Sequence, residues 1–169
     1  MDETLRSRAC CFTGHRPEKL PWGYDERDPA CMELCEKLSD ILGAVYRSGY
    51  NHFYCGMAQG ADLIFCEQVL KLRAEHPDVT IEAVVPCADQ SSKWSLKQKE
   101  RHLRLCSECN SVKVLHSAYT QNCMMERNEY MVERSSLLIA VYDGVTAGGT
   151  MKTILLARRA QMPVIKVEP

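Results

Sequence analysis

The segment LLIAVYDGVTAGGT, residues 137–150, decides the fold class. Leu137–Tyr142 is an unbroken apolar run of strand length, Asp143–Thr150 is a glycine-rich loop, and Met151–Ala160 carries helical spacing. A strand without polar alternation is buried on both faces, which is the condition of a strand in a parallel sheet covered by helices on two sides. The same order recurs upstream. Ala9–Thr13 is an apolar strand stopped by Gly14, and Cys31, Leu34, Cys35, Leu38, Ile41, Leu42 and Val45 then recur at three- and four-residue steps. That spacing predicts a helix, with Pro29 in its first turn and Gly49 at its end. His52–Cys55 is a second strand closed by Gly56 and followed by a helix over Ala61–Leu72. Val79–Val85, rich in β-branched residues, is a third strand ended by Pro86, and Gln90–Leu105 is a charged surface helix. Val112–Leu115 is a short strand, Met124–Arg134 a helix, and Met162–Val167 a last strand with Pro163 near its start. Strand and helix thus alternate throughout, which predicts an α/β fold, a Rossmann-like three-layer α/β/α sandwich with a mainly parallel sheet. No linker, repeat or low-complexity stretch divides residues 1–169, so one domain is expected.

Composition narrows the function classes. The 169 residues are 46% apolar and 25% charged, with 21 basic residues against 22 acidic ones and a net charge of −1. That balance, with only 7% aromatic residues, argues against nucleic acid as a partner, since a broad electrostatic grip needs a basic face. The first residues, MDETLRSRACCF, lack the apolar run of a signal peptide, and nowhere do about 18 apolar residues follow one another. A cytoplasmic protein with no membrane partner is expected. The ten cysteines are scattered through strands and helices, as in Cys10, Cys11, Cys55 and Cys66, and read as small buried thiols. His102, Cys106, Cys109 and His116 frame a C-x-x-C pair of the kind that binds zinc, but no second close pair accompanies it. The expectation is a helix end followed by a turn, without metal or cofactor.

Ligands of open α/β sheets bind beyond the carboxyl ends of the strands, and three loops stand there. In Thr13-Gly14-His15-Arg16-Pro17, Gly14 permits a close backbone approach, Arg16 offers a planar fork for phosphate, and His15 is a candidate ligand contact or acid–base group. Gly56-Met57-Ala58-Gln59-Gly60-Ala61-Asp62 and the loop Asp143, Gly144, Gly148, Gly149, Thr150 each join a strand to a helix N-terminus. Glycines there leave N–H groups free for an anion. Arg127 and Asn128 precede the strand that feeds the last loop, and Trp94 is a candidate stacking surface for a base.

Together with Pro86, Gln90 and Trp94, and with Arg127-Asn128-Glu129-Tyr130-Met131-Val132, these loops resemble the SLOG superfamily. That is the Rossmann-like group of the LOG phosphoribohydrolases and the DprA/Smf proteins, and the likeness is greatest to its YpsA-like branch. The resemblance covers nearly the whole chain. It implies a bacterial protein with a pocket for a nucleotide or nucleotide-sugar related to ADP-ribose or NAD, and a homo-oligomer. Some superfamily members sense such molecules in stress or antiphage signalling. The LOG enzymes carry a glutamate three residues after the threonine of their glycine-rich motif; here that position is Thr153. The expected function is therefore a nucleotide-binding or sensor protein. The alternative is a hydrolase of N-glycosidic bonds in which Asp62, Asp143, Glu126 or His15 supplies the acid or base. Single-strand DNA binding, as in the DprA relatives, is the least favoured.

Overall fold

A computed structural model describes residues 2–169. The elements are α1 (Glu3–Ser7), β1 (Ala9–Gly14), α2 (Pro29–Arg47), β2 (His52–Cys55), α3 (Ala61–Glu75), β3 (Thr80–Cys87), α4 (Leu96–Glu108), β4 (Ser111–His116), α5 (Cys123–Glu133), β5 (Leu137–Val141), α6 (Gly149–Arg159) and β6 (Val164–Val167). A single 3-10 turn, Pro17–Lys19, follows β1. The strands form one six-stranded sheet in the order β4-β3-β2-β1-β5-β6. Every pairing is parallel.

Side chains alternate across this sheet and fill two cores. Cys10 and Phe12 of β1 join Leu34 and Leu38 of α2 and Leu63 and Phe65 of α3 on one face. Ala9 and Cys11 face the other way, towards Met131 of α5 and Ile154 of α6. The helices therefore divide as α2, α3 and α4 against α5 and α6, giving the Rossmann-like three-layer α/β sandwich expected from the continuous apolar strands. Phe12 and Phe65 stack with ring centroids 4.2 Å apart, fixing α3 over the end of β1.

Local chemistry sets the boundaries. Pro29 opens α2 behind an Asp28 cap whose carboxylate accepts from the Ala30 N–H at 2.8 Å. Asp28→Ala is expected to lower stability by about 1 kcal/mol, read as a shift in urea midpoint at unchanged slope. The charged helix starts later than the sequence suggests, at Leu96, because Ser95 caps it and the stretch before it is a succession of turns. Pro86 does not end β3. Pairing with β2 stops at Cys55↔Ala83, beyond which β3 has only β4 beside it and a missing N–H disturbs little. Two residues that the sequence places in a loop, Gly149 and Thr150, form the first turn of α6. Helix α1 was not expected at all. It exists because the Asp2 carboxylate accepts from the N–H groups of Thr4 and Leu5 at 2.9 and 3.3 Å. All ten cysteines are free. Among the described residues no helix is long and apolar enough to cross a membrane.

Candidate functional site

The chain runs outward from β1 to β4 and then returns to the opposite side of β1 as β5. Where strand order reverses in this way, the loops leaving the two central strands part and open a crevice at their carboxyl ends. A cavity of about 240 Å³ lies there, bounded by the end of β1, the start of α3, one face of α5 and the first turn of α6.

Its floor is built around Arg127. This α5 side chain is buried; Nε donates to Asn128 Oδ1 at 2.8 Å, and Nη1 donates to the Gly56 carbonyl. Nη1 also stands 3.7 Å from Asp62 Oδ2, which in turn accepts from the Ala58 N–H at 3.1 Å. Burial pushes the Asp62 carboxyl above the usual carboxylate range, opposed by the Arg127 charge and the Ala58 N–H. Burial likewise lowers the Arg127 pKa, opposed by Asp62. A glycine at position 56 is a condition of this arrangement, since a Cβ there would lie 2.5 Å from Arg127 Cζ. Behind the floor, Gln90 Nε2 donates to the same Gly56 carbonyl at 3.1 Å, and its Oε1 meets His102 Nε2 at 3.3 Å. Gln90 thus supports the floor from outside the cavity.

One wall carries His15, buried with Nε2 at 2.9 Å from Asp143 Oδ1 and Nδ1 at 3.4 Å from Thr150 Oγ1. The Asp143 N–H also approaches Nε2, at 3.2 Å. One nitrogen cannot both donate to the carboxylate and accept from that N–H. The shorter contact assigns the proton to Nε2 and leaves Nδ1 to accept from Thr150. The Val145 N–H, and after it His15, hold the Asp143 carboxyl below the usual range. Asp143 is therefore engaged by its own loop and by His15.

The mouth carries two cations, Arg16 and Lys19, and one acid, Glu18, whose carboxylate accepts from the Tyr24 hydroxyl at 3.1 Å. Arg16 and Lys19 are exposed, and neither forms an ion pair among the described residues. The Lys19 ammonium sits against Gly148, where a Cβ would come within 2.9 Å of it. Gly148, at φ +97°, precedes α6 without a side-chain cap, so the leading N–H groups of this helix are uncommitted to any capping side chain.

The structure thus brings Thr13, Gly14, His15, Arg16, Asp62, Arg127, Asn128, Gly149 and Thr150 together around one cavity. Gly60 and Ala61 stand just behind it. The Ala61 N–H donates to the His15 carbonyl at 3.1 Å, and a Cβ on Gly60, at φ +86°, would come within 2.7 Å of that oxygen. Gly14 lets β1 meet α3, since its Cβ would be 2.5 Å from that of Ala61. Gly144 and Gly148 lie outside the cavity lining, in the exposed loop. Trp94 does not line it; the residue is half-buried with its ring edge-on to His102 at 5.3 Å. The four zinc candidates do not converge. His102 and Cys106 are 3.9 Å apart, Cys109 turns to Cys66 at 3.9 Å, and His116 pairs with Glu126.

Phe12, Glu18, Lys19, Ala58, Met124 and Met131 also line the cavity, though none of them was among the candidate ligand-binding residues. The two methionines were discoverable, because positions 124 and 131 fall three before and four after Arg127 on one helix face. Lys19 was not, because only the Pro17–Lys19 turn brings it back over the mouth.

The sequence pattern of the YspA SLOG family matches residues 10–162. The chain belongs to this family. Relatives include the SPbeta prophage-derived protein YoqJ of Bacillus subtilis strain 168, 28% identical over 135 residues, which span 72% of this chain and 79% of YoqJ. A UPF0398 protein of Bacillus licheniformis is 23% identical over 156 residues, covering 91% of this chain and 85% of the relative. Among solved structures the fold is similar to the DNA processing protein A of Helicobacter pylori, with a TM-score of 0.63 at 14% identity over all of this chain and 69% of that one. It is also similar to DprA of Streptococcus pneumoniae, with a TM-score of 0.64 at 10% identity; the chain spans about half of that protein, 52%. In this family member Thr153 is wholly buried, and its hydroxyl donates to the Gly149 carbonyl at 3.0 Å within α6. It presents no group to the cavity.

Proposed function

We propose that the protein binds a phosphorylated nucleotide or nucleotide-sugar, of the ADP-ribose and NAD class, and acts as a ligand-binding or sensor protein. The reading is of a single-domain protein of the bacterial cytosol that works as a homo-oligomer, as the superfamily resemblance implies. The observation that carries it is the mouth of the cavity. Arg16 and Lys19, which form no ion pair among the described residues, stand beside the N-terminus of α6, which takes no side-chain cap among those residues. Each of these favours an anion, and their coincidence at a topological switch point favours a phosphate.

Size refines the ligand. A cavity of about 240 Å³ lies below the roughly 300 Å³ at which pockets begin to enclose a drug-sized molecule. It suits a phosphosugar, with a base or second nucleotide lying across the mouth. Isothermal titration against ADP-ribose, NAD, cyclic ADP-ribose isomers and AMP tests this. Binding below millimolar concentration is expected for at least one of them and is expected to weaken with salt. Heat signals absent for all four would overturn the reading.

A second reading, single-strand DNA binding, has a specific observation in its favour: the Helicobacter pylori protein of the same fold is described by its single-stranded DNA binding mode. The balanced charge therefore does not dispose of nucleic acid as a partner, as the sequence suggested. A gel shift with single-stranded DNA at low salt separates the two readings, since retention lost steeply with added salt supports the second.

A further inference from the structure

The cavity is chemically divided. Arg16, Lys19, Glu18 and the helix N–H groups stand at its mouth, whereas its floor holds Asp62, paired with Arg127, together with Asn128 and Thr13. Asp62 is 5% exposed, and Asn128 and Thr13 are each 7% exposed, yet all three line the cavity. Asp62 uses Oδ2 for the Ala58 N–H, and Asn128 uses Oδ1 for Arg127 Nε. Asp62 Oδ1, Asn128 Nδ2 and the Thr13 hydroxyl take no hydrogen bond from or to the described residues, and none of the three atoms is fully buried.

A carboxylate oxygen accepts only, an amide nitrogen donates only, and a hydroxyl does both. A phosphate placed at this floor would face the Asp62 carboxylate, acceptor against acceptor, with like charges a few ångströms apart. A sugar hydroxyl has the complementary character, donating to Asp62 while accepting from Asn128. The Asp62 charge is itself held by Arg127, at 3.7 Å, so the floor is near neutral and has little attraction for an anion.

Resting on the phosphate-ligand reading above, we propose that Asp62, with Asn128, is a specificity-determining residue that recognises the vicinal hydroxyls of a ribose. The preferred ligand class is then a ribonucleotide or ribosyl phosphate that keeps its diol free, with the phosphate at Arg16, Lys19 and α6. A ligand lacking those hydroxyls leaves the desolvated Asp62 Oδ1 without a hydrogen-bond donor, and a site built in this way discriminates against such a ligand more strongly than a hydrophobic pocket does.

The test compares AMP, 2′,3′-dideoxy-AMP and ribose 5-phosphate by calorimetric titration of the full chain. The base and phosphate are the same in the first two, so their difference isolates the hydroxyls. AMP is expected to bind at least about tenfold more tightly than its dideoxy analogue, the size of one hydrogen bond to a charged group. In Asp62→Asn the two are expected to bind within about threefold of each other, because the amide no longer demands a donor, whereas a merely structural role for Asp62 would weaken both in proportion. Equal binding of AMP and dideoxy-AMP to the unaltered protein overturns the proposal and leaves the phosphate reading standing. Binding of neither AMP nor ribose 5-phosphate overturns both.

Discussion

Gly56→Ala is expected to abolish most nucleotide binding and to lower stability by about 1–3 kcal/mol, the range for forcing a methyl group into a packed site. The added Cβ would lie 2.5 Å from Arg127 Cζ and 2.9 Å from Asp62 Oδ2, so the guanidinium and the carboxylate cannot both keep their places. Asp62 sits in the first turn of α3, on a rigid element, and has little room to retreat. Arg127 must swing, giving up the Gly56 carbonyl and filling part of the cavity. Its positioning contribution, one charge-assisted hydrogen bond or more, corresponds to at least about tenfold in affinity. A thermal melt and a titration on the same preparation read both effects, at about 2–4 °C per kcal/mol for a chain of this size. Gly149→Ala is the stability control, because nothing lies within 4 Å of its added methyl group and it sits in a helix, where alanine is the better former. Gly56→Ala melting and binding as the unaltered protein does would sink this account of the floor.

How much of this was legible in the sequence follows from which physical signal each feature leaves. The sheet was readable because strands such as Leu137–Val141 are apolar at every position, a pattern that only burial on both faces requires. Pro29 and Gly49 marked the ends of α2 because their backbone demands are local. Local signals failed where a tertiary neighbour decided the outcome. Pro86 continues β3 because β2 has already stopped, and no residue near Pro86 says so. The 90–95 stretch reads as part of the charged helix that follows it, but Ser95 takes the cap and leaves Gln90 in a turn, from which it reaches the Gly56 carbonyl.

At the site, the sequence identified most of what lines the cavity but not the purpose of each glycine. A glycine-rich strand-to-helix junction reads alike whether its empty space admits a ligand or a protein group. At Gly56 the space is taken by the Arg127 guanidinium and at Gly60 by the His15 carbonyl. At Gly149 it stays open. Trp94, the one aromatic side chain singled out for stacking, packs on His102 and the core beneath α4 instead, because it sits in the turns that precede that helix. Lys19, absent from the sequence reading, contributes charge to the mouth only because three residues of 3-10 turn reverse the chain after Arg16.

The removal of Arg127 is expected to have the largest effect on stability and to show a distinctive pH dependence. Breaking a buried ion pair by deleting one partner costs about 3–5 kcal/mol, and the 3.7 Å separation places Arg127→Met near the lower end, about 3 kcal/mol at neutral pH. Methionine keeps much of the volume, so the loss is one of charge and of the hydrogen bonds to Gly56 and Asn128. Asp62 then faces only the Ala58 N–H and the more distant Arg16 charge, and burial, already the dominant influence on its carboxyl, raises it further above the ordinary range near about 4. A carboxyl whose folded-state pKa is raised binds its proton more tightly folded than unfolded. The variant is therefore least impaired in acid and loses stability as pH rises through the raised Asp62 pKa. The difference from the unaltered protein should be smallest below about pH 4 and grow as pH rises through the raised Asp62 pKa. Adding Asp62→Asn to Arg127→Met removes the stranded charge, and the double variant should recover about half or more of the loss and show no such pH dependence. Urea titrations of the four proteins across this range complete the cycle. A pH-independent deficit, or additive losses in the double variant, would mean that Arg127 holds the floor through its hydrogen bonds to Gly56 and Asn128 and owes little to Asp62.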